Sequence, residues 1–268
     1  MKIVSIGEAT IDRYIRQKQS FVGGIALNFA VHAKRCGADQ VAFVSCIGND
    51  DSGKWILDTL GKEQIDTTHL TVLPGETAEC DISVTDDGER SFPGYRVGVL
   101  KHLKLTKPIA SFISQQDVVS THYDGETQDS RTSQLINLSY PSLKRVVDFG
   151  DWSAGKRKTI SGETLDALDI AFFSGDSEAV DHLQSLAKQT SCLFIVTLGA
   201  AGSIALTQPE ALFQPAIAAD VLVDTTGCGD AFQAGFTVSY YREGDIAKAL
   251  LNGATQAAQV LNHFGAFR

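Results

Sequence analysis

Short apolar runs recur along this chain, and amphipathic stretches separate several of them. The runs cover residues 3–6, 41–47, 118–120, 146–149, 170–173 and 193–198. Most of them are bounded by Gly, Asp or Ser, which is typical of buried strands. Because buried strands that alternate with helices form parallel sheets, the pattern predicts an α/β fold with a central, mostly parallel sheet flanked by helices.

Three stretches have the residue spacing of helices. Between Ile25 and Cys36 the apolar residues recur on one side, and Gly37 follows at the position where a left-handed residue ends a helix. Residues 230–241 and 245–263 show similar spacing. Helices are therefore expected to predominate at the C-terminal end.

Two segments, residues 12–22 and 77–99, interrupt this rhythm. In the second, apolar positions alternate on one side of Asp86-Asp87-Gly88, which predicts a hairpin. No predicted helix covers it, so we expect a small β-flap that forms a lid over a cleft or pairs with a second copy in a homodimer. No linker rich in Pro, Gly or Ser divides the chain, and residues 1–268 are expected to form a single domain.

Charge and cysteine content exclude several classes of protein. The 23 Lys and Arg residues against 32 Asp and Glu give a net charge of −9, which disfavours binding to nucleic acid. The five cysteines are dispersed without a Cys-x-x-Cys pair, so they predict neither a disulfide framework nor a zinc site. We find neither a leader segment nor an apolar run near 18 residues, and therefore expect a soluble, cytoplasmic protein with no membrane partner.

The segment Asp224-Thr225-Thr226-Gly227-Cys228-Gly229-Asp230 follows the apolar run 221–223 and precedes a predicted helix. This order predicts a strand, a glycine turn and a helix. The two glycines would let the backbone approach a ligand, and unpaired N–H groups at the helix start bind anions such as phosphate. Asp230 would stay ionised there and accept a proton from an attacking hydroxyl. An ordinary helix start fits the same pattern, since acidic residues are common there.

This segment resembles the C-terminal signature of the ribokinase-like (PfkB) carbohydrate kinases, Asp-Thr-Thr-Gly-Ala-Gly-Asp-x-Phe. Cys228 replaces the usual Ala and should be tolerated as a small apolar side chain. A second family signature is present as Gly23-Gly24-Ile25-Ala26-Leu27-Asn28-Phe29-Ala30, ending at Cys36-Gly37. The resemblance extends from Lys2 to Ala266 and implies a ribokinase-like fold, with ATP and Mg²⁺ as cofactors.

The resemblance also implies a role for each residue that matches a family motif. Asp230 would be the catalytic base, and Gly227, Cys228 and Gly229 would hold the transferring phosphoryl group. The sugar hydroxyls would be bound by Asp12, Gly23, Gly24 and Asn28, and the nucleotide by Thr197, Gly199, Gly202 and Thr225. Taken alone, Asp12 also fits a strand-end turn, Gly23 to Asn28 a loop and helix start, and residues 197–202 a glycine turn between strands.

One family motif is altered in this chain. The Asn-x-x-Glu motif, whose polar residues help to place metal and phosphate, appears as Gly175-Asp176-Ser177-Glu178. Glu178 is retained as a candidate metal ligand, and Ser174 or Asp176 are candidates to replace the missing Asn. The alternative is that Asp176, Ser177 and Glu178 simply cap and begin the next helix.

A competing phosphate-binding motif spans residues 150–157, where Gly-x4-Gly-Lys follows a predicted strand. Arg157 stands where a P-loop needs Ser or Thr for Mg²⁺, and Trp152 is bulky for a loop that wraps phosphates, so a basic surface loop is favoured. His122 and Tyr123 follow another predicted strand and are candidates to line the cleft. Trp55 and Phe29 are expected in the core.

The resemblance implies ATP-dependent phosphorylation of a hydroxyl on a sugar or sugar derivative. Within the family, the surroundings of residues 7–12, 91–95, 147–149 and 263–266 resemble most the fructoselysine kinase subgroup. The implied substrate is a glycated amino acid, phosphorylated on its terminal hydroxyl. The alternative is a non-catalytic sensor of sugar or nucleotide on the same scaffold, although such a sensor has no evident need of a base at Asp230.

Overall fold

The computed structural model describes residues 1–85, 90–138, 140–207, 210–219 and 221–268. The predicted turn at Asp86-Asp87-Gly88 lies outside the described residues. Within them the strands are β1 (Lys2–Ile6), β2 (Thr10–Tyr14), β3 (Gln19–Gly23), β4 (Gln40–Gly48), β5 (Leu70–Leu73), β6 (Ala78–Val84), β7 (Arg90–Arg96), β8 (Val118–His122), β9 (Lys144–Asp151), β10 (Ile170–Ser174), β11 (Leu193–Thr197), β12 (Ser203–Leu206) and β13 (Leu212–Gln214).

The large sheet has the order β13-β12-β11-β10-β9-β8-β1-β4-β5. From β5 to β11 its neighbouring strands are parallel, whereas β12 pairs antiparallel with both of its neighbours. The apolar runs of the sequence form its central strands because both faces are covered; in β1, for example, Ile3, Val4 and Ile6 are fully buried. The predicted mostly parallel sheet is therefore confirmed.

Helices cover both faces of this sheet. They are α1 (Ile25–Arg35), α2 (Asp51–Lys62), α3 (Lys107–Ile113), α4 (Arg131–Ile136), α5 (Gly162–Asp166), α6 (Ser177–Ala187), α7 (Cys228–Glu243) and α8 (Ile246–Val260), with 3₁₀ turns at Gly98–His102 and Gly199–Ala201. Gly37 has the predicted left-handed φ of 92° just beyond α1. Residues 231–239 of α7 are all buried, as expected for a helix enclosed on every side.

A separate small sheet has the order β3-β2-β6-β7. It combines the two segments that interrupt the α/β rhythm, with β2 and β6 parallel and both outer pairs antiparallel. Tyr14 on this sheet packs against Phe21 of β3 and against Phe264, ring edge to ring face. The predicted flap is thus present, and it rests on a segment near residue 264.

Two local expectations were wrong. Residues 221–223 form no strand: Val221 and Leu222 are more than half exposed, and the Val223 amide instead donates to the Leu261 carbonyl. Trp55 is 43% exposed on α2, because it lies on the side of the helix away from Ile56 and Leu60, which are fully buried. Phe29 is buried as expected.

Candidate active site

The carboxyl ends of the parallel strands gather several polar residues at one edge of the large sheet. Glu8 follows β1, His122 ends β8, Asp148 lies near the end of β9 and Thr197 ends β11. His122 and Asp148 are directly paired in the strand register. Ligands of open α/β sheets bind beside this edge, so it is where the candidate site should lie.

Asp12 enters the site from the small sheet. The Thr10 hydroxyl donates to Asp12 Oδ1 at 2.7 Å, and burial raises the pKa of Asp12 to about 6 against the opposing effect of that bond. A Cβ on Gly23 would lie 2.1 Å from Asp12 Oδ2. Gly23 is therefore required to make room for the Asp12 carboxylate, and the predicted pair is brought into contact.

Asn28 and Asp230 join the two halves of the site. Asn28 Nδ2 donates to Asp230 Oδ2 at 2.7 Å, across 202 positions of sequence. Asn28 Oδ1 is buried without a hydrogen-bond partner among the described residues, so it remains available to a donor. This bond places the residue expected to hold sugar directly against the expected base.

The expectation that Asp230 is kept ionised by the helix start was wrong. This side chain is partly buried, and burial raises the pKa of Asp230 to about 7 despite the bond from Asn28. The charge of Asp148 raises it further, and that of Arg90 opposes the rise. Loss of hydration is therefore the dominant effect on Asp230, and the group can both hold and release a proton near neutral pH.

The start of α7 has the form of an anion-binding turn. Gly227 is left-handed, with φ 81°, and a Cβ there would meet Ala266 at 2.4 Å. The first intrahelical bond runs from Ala231 to Gly227, so the amides of Gly229 and Asp230 precede it and have no acceptor among the described residues. A Cβ on Gly229 would meet nothing within 4 Å. Open space and free N–H groups fit a phosphate.

Cys228 and Thr225 also lie in this turn. Burial raises the pKa of the Cys228 thiol to about 12, so the thiol stays protonated and acts as a small filler. The Thr225 carbonyl accepts from the Cys228 amide and from Arg90 Nη1 on the small sheet. The flap therefore brings a cation to the phosphate-binding turn.

Asp224 fixes the turn from behind, a role that sequence reasoning did not identify. Its Oδ1 accepts from the amide and hydroxyl of Thr226, and its Oδ2 accepts from the Tyr14 hydroxyl and the Gly265 amide. Tyr14 and Asp12 are two residues apart on β2, so their side chains lie on the same face of the strand. This spacing is the sequence signal that would have placed Tyr14 near the site. The Asp224 contacts join the flap, the turn and residue 265.

His122 and Asp148 form a second pair beside Asp230. Their Nδ1 and Oδ2 atoms are 3.5 Å apart, and the Gly150 amide donates to Asp148 Oδ1 at 2.9 Å. Burial alone would raise the pKa of Asp148, but the nearby His122 and the bond from the Gly150 amide together lower it. His122 therefore lies at the site as expected. Tyr123 is buried and packs against Phe149, with the two rings tilted by 33°.

The glycine turn after β11 lies farther along the same edge. Gly202 has φ 119°, and a Cβ there would lie 2.2 Å from the Gln214 carbonyl oxygen, so its glycine is required by packing. Gly199 is left-handed, and a Cβ there would meet nothing within 4 Å. The Thr197 hydroxyl donates to the Phe173 carbonyl. Thr197, Gly199 and Gly202 thus form a turn between antiparallel strands with one open face.

Glu178 has no partner that suggests a metal. Asp176 caps α6 by accepting from the Ala179 amide at 2.9 Å, and Glu178 lies in the first turn, two-thirds exposed, paired with Arg157 at 2.8 Å. Across the described ranges, no three His, Cys, Asp or Glu side chains are grouped so that they could hold a metal ion. Mg²⁺ is commonly held by the phosphates of the substrate and by only one or two carboxylates of the protein. A site that offers Glu178 alone is compatible with that way of binding.

The Gly-x4-Gly-Lys segment does not form a P-loop. Lys156 pairs with Asp151, Trp152 is fully buried, and no helix begins between Lys156 and Gly162. A P-loop needs its helix directly after the lysine so that the amides can surround phosphate. The surface-loop interpretation therefore holds. No helix in the described part of the chain is both long and apolar enough to cross a membrane.

Comparison with known proteins identifies similar chains along the full length. The profile of the pfkB family carbohydrate kinases matches residues 1–120 and 160–267. Fructosamine kinase FrlD of Bacillus subtilis is 30% identical over all of this chain and 93% of its own, and fructoselysine 6-kinase of Escherichia coli is 27% identical over 99% of both.

Solved structures share the architecture. Ribokinase of Arabidopsis thaliana, complexed with ribose and ATP, has a TM-score of 0.78 at 20% identity and covers 99% of this chain and 93% of its own. Adenosine kinase of Sinorhizobium meliloti has a TM-score of 0.81 at 18% identity, covering 99% and 95%. The fold is therefore ribokinase-like.

Proposed function

Because this chain belongs to the pfkB family of carbohydrate kinases, and is therefore an ATP-dependent sugar kinase, we propose that it phosphorylates the terminal hydroxyl of a ketosugar joined to an amine, such as fructoselysine. The similarity to a fructosamine kinase and to a fructoselysine 6-kinase supports this choice, because each alignment covers 93% or more of both chains. Other sugars with a free terminal hydroxyl are the competing substrates.

The observation that carries the proposal is the Asn28–Asp230 hydrogen bond. It holds a sugar-binding amide within 2.7 Å of the expected base, at the start of the helix whose free amides fit phosphate. A hydroxyl bound between Asp12 and Asn28 would thus lie beside Asp230 and the phosphate-binding turn at once. Proximity of this kind is what phosphoryl transfer requires of an enzyme.

In the proposed reaction Asp230 accepts the hydroxyl proton as the oxygen bonds to the γ-phosphorus. The bond between that phosphorus and the β–γ bridging oxygen breaks, and ADP leaves with the electron pair. The bond from Asn28 occupies Asp230 Oδ2 and leaves Oδ1 for the substrate. Because the pKa of Asp230 is about 7, its ionised fraction increases between about pH 6 and pH 8, and kcat should rise over that range.

The phosphates would be held by the amides of Gly229 and Asp230, with Arg90 approaching from the flap. Thr225, Gly227 and Cys228 shape this turn, and the open face at Gly199 would take the nucleotide. Mg²⁺, when bound, would neutralise part of the phosphate charge. Glu178 remains the proposed protein contribution to its placement.

The test is ATP consumption on a panel of sugars and glycated amino acids. Asp230→Asn keeps the size of the side chain but removes the proton acceptor, so kcat should fall at least about 100-fold with little change in nucleotide affinity. Asp51→Asn is the matched control, since Asp51 also lies in the first turn of a helix but is exposed and paired with Lys54. Its kcat should remain unchanged.

A non-catalytic sensor gives a different result. It would bind sugar and nucleotide without consuming ATP on any member of the panel, and Asp230→Asn would then change only binding. Full activity of a folded Asp230→Asn variant would instead show that Asp230 serves the helix start alone.

A further inference from the structure

A largely buried ion pair lies next to the site but has no part in the reaction described above. Arg131, the first residue of α4, donates from Nη2 to Glu8 Oε1 at 2.8 Å and from Nε to Asp124 Oδ2 at 2.9 Å. Only 13% of the Arg131 side chain and 17% of the Glu8 side chain are exposed. Two carboxylates therefore share one guanidinium, and the group of three has a formal charge of −1.

The two carboxylates are not equivalent. Asp124 is fully engaged, because its oxygens also accept from the amides of Arg131 and Thr132 at 2.9 and 3.0 Å. Glu8 Oε2, in contrast, is buried with no partner among the described residues. A buried charged oxygen without a hydrogen-bond donor is destabilising. Glu8 Oε2 is therefore satisfied only when a bound molecule donates an N–H or O–H group to it.

The backbone of Glu8 lies against one of the glycines expected to hold the sugar, since a Cβ on Gly24 would be 2.5 Å from the Glu8 carbonyl oxygen. On the flap, Cys80 pairs with Asp12 on one side and with Tyr95 on the other, so these three residues share a face of the small sheet. Burial and then the charge of Glu8 raise the pKa of Tyr95 to about 12, which agrees with Tyr95 lying near Glu8. Half of Tyr95 is open to solvent.

We propose that Glu8, oriented by Arg131, binds the secondary ammonium group of the ketosugar amine and so selects it over a neutral sugar. This rests on the proposed function. The substrate's ammonium carries a positive charge and two N–H donors, which match the unpartnered Glu8 oxygen and the excess negative charge around it. A neutral sugar offers hydroxyl donors but no charge.

The position of the pair along the chain agrees with a role in selectivity. Asp124 and Arg131 lie between the two segments, residues 1–120 and 160–267, that match the family profile. The ion pair thus joins Glu8, from the matched part, to a part in which this chain departs from the common pattern. Differences in substrate are expected where a chain departs from its family.

The test compares two substrates that differ in one non-hydrogen atom, 1-butylamino-1-deoxyfructose and 1-O-butylfructose. Glu8→Gln keeps an oxygen for Arg131 but removes the charge. It should lower kcat/KM for the amine roughly 10- to 100-fold, the range for a lost hydrogen bond between charged groups. For the ether, kcat/KM should change less than about threefold, which is near the value expected for a hydrogen bond between neutral groups. Glu79→Gln is the control, since Glu79 pairs with Arg13 and Arg96.

Calorimetric binding of each substrate, without turnover, separates selectivity from chemistry, and ATP affinity reports whether Glu8→Gln is folded. Equal losses for amine and ether would show that the ion pair only supports the fold, and would overturn this inference while leaving the proposed function intact. A wild-type protein that phosphorylates the ether as well as the amine would also overturn it. A wild-type protein that phosphorylates neither would refute the proposed substrate itself.

Discussion

Replacing Asp230 by asparagine should stabilise the folded protein at alkaline pH, although it removes activity. Burial raises the pKa of Asp230 from 3.8 to about 7 in the folded chain. Between these values the folded chain holds a proton that the unfolded chain has released, so the free energy of unfolding decreases as the pH rises through this window. The variant side chain is neutral at every pH and avoids this loss.

The magnitude follows from the width of the window. Each pH unit contributes about 1.4 kcal/mol, so an interval from 3.8 to about 7 gives an upper bound of about 4 kcal/mol. The oxygen of the introduced amide can still accept the bond from Asn28, so packing at this position should change little. Most of this upper bound should therefore appear as an increase in the variant's free energy of unfolding at alkaline pH.

The assay is urea unfolding of both proteins at about pH 5 and about pH 8. The variant's advantage in free energy of unfolding should grow by on the order of 2 to 3 kcal/mol between the two conditions. Asp51→Asn, whose parent side chain is exposed, should show no such growth. An advantage that is constant with pH, or that shrinks at pH 8, would refute the conclusion that burial dominates at Asp230.

Four further predictions concern the flap and the sugar site. Gly23→Ala should weaken sugar binding at least about tenfold in calorimetry without affecting ATP, because its Cβ would displace the Asp12 carboxylate; Gly61→Ala, with open space around it, should bind both normally. Asn28→Ala should likewise weaken sugar more than nucleotide, and equal losses would mean that Asn28 only supports the fold. Amides of β7 should gain hydrogen-exchange protection when sugar and nucleotide bind, and unchanged exchange would contradict closure of the flap. Because β7 is a sheet edge that exposes Phe92, light scattering should detect a homodimer that Phe92→Lys weakens, and a wild-type monomer at high concentration would count against pairing through the flap.

Features that depend on neighbouring residues were predictable from the sequence. Apolar runs bounded by turn residues became the central strands, and Gly37 ended α1 as its position indicated. The glycine turn at 227–229 is also local, because its conformation depends on residues with little steric restriction. The flap was foreseeable for the same reason, since strand alternation is visible over a few residues.

Features that depend on distant parts of the chain were not predictable. Tyr14 and Asp224 meet across 210 positions, and His122 meets Asp148 only through the register of β8 and β9. The pKa of Asp230 was misjudged because it depends on burial in the folded chain and on the charge of Asp148, which β9 brings near it. Residues 221–223 have the composition of a strand, but within the described ranges they pair with no strand, and the Val223 amide donates to the Leu261 carbonyl instead.

The contacts of Asp224 have a consequence for how the protein is made. The phosphate-binding turn is closed by the Gly265 amide and by Ala266, which are synthesised about forty positions after it. A nascent chain that ends before Gly265 would contain the strands of both sheets but would leave Gly227 unsupported and the Asp224 carboxylate short of one donor. We therefore expect a chain stalled on the ribosome at that point to have its sheets formed but to be unable to bind phosphate, so that activity begins only when residue 266 has emerged.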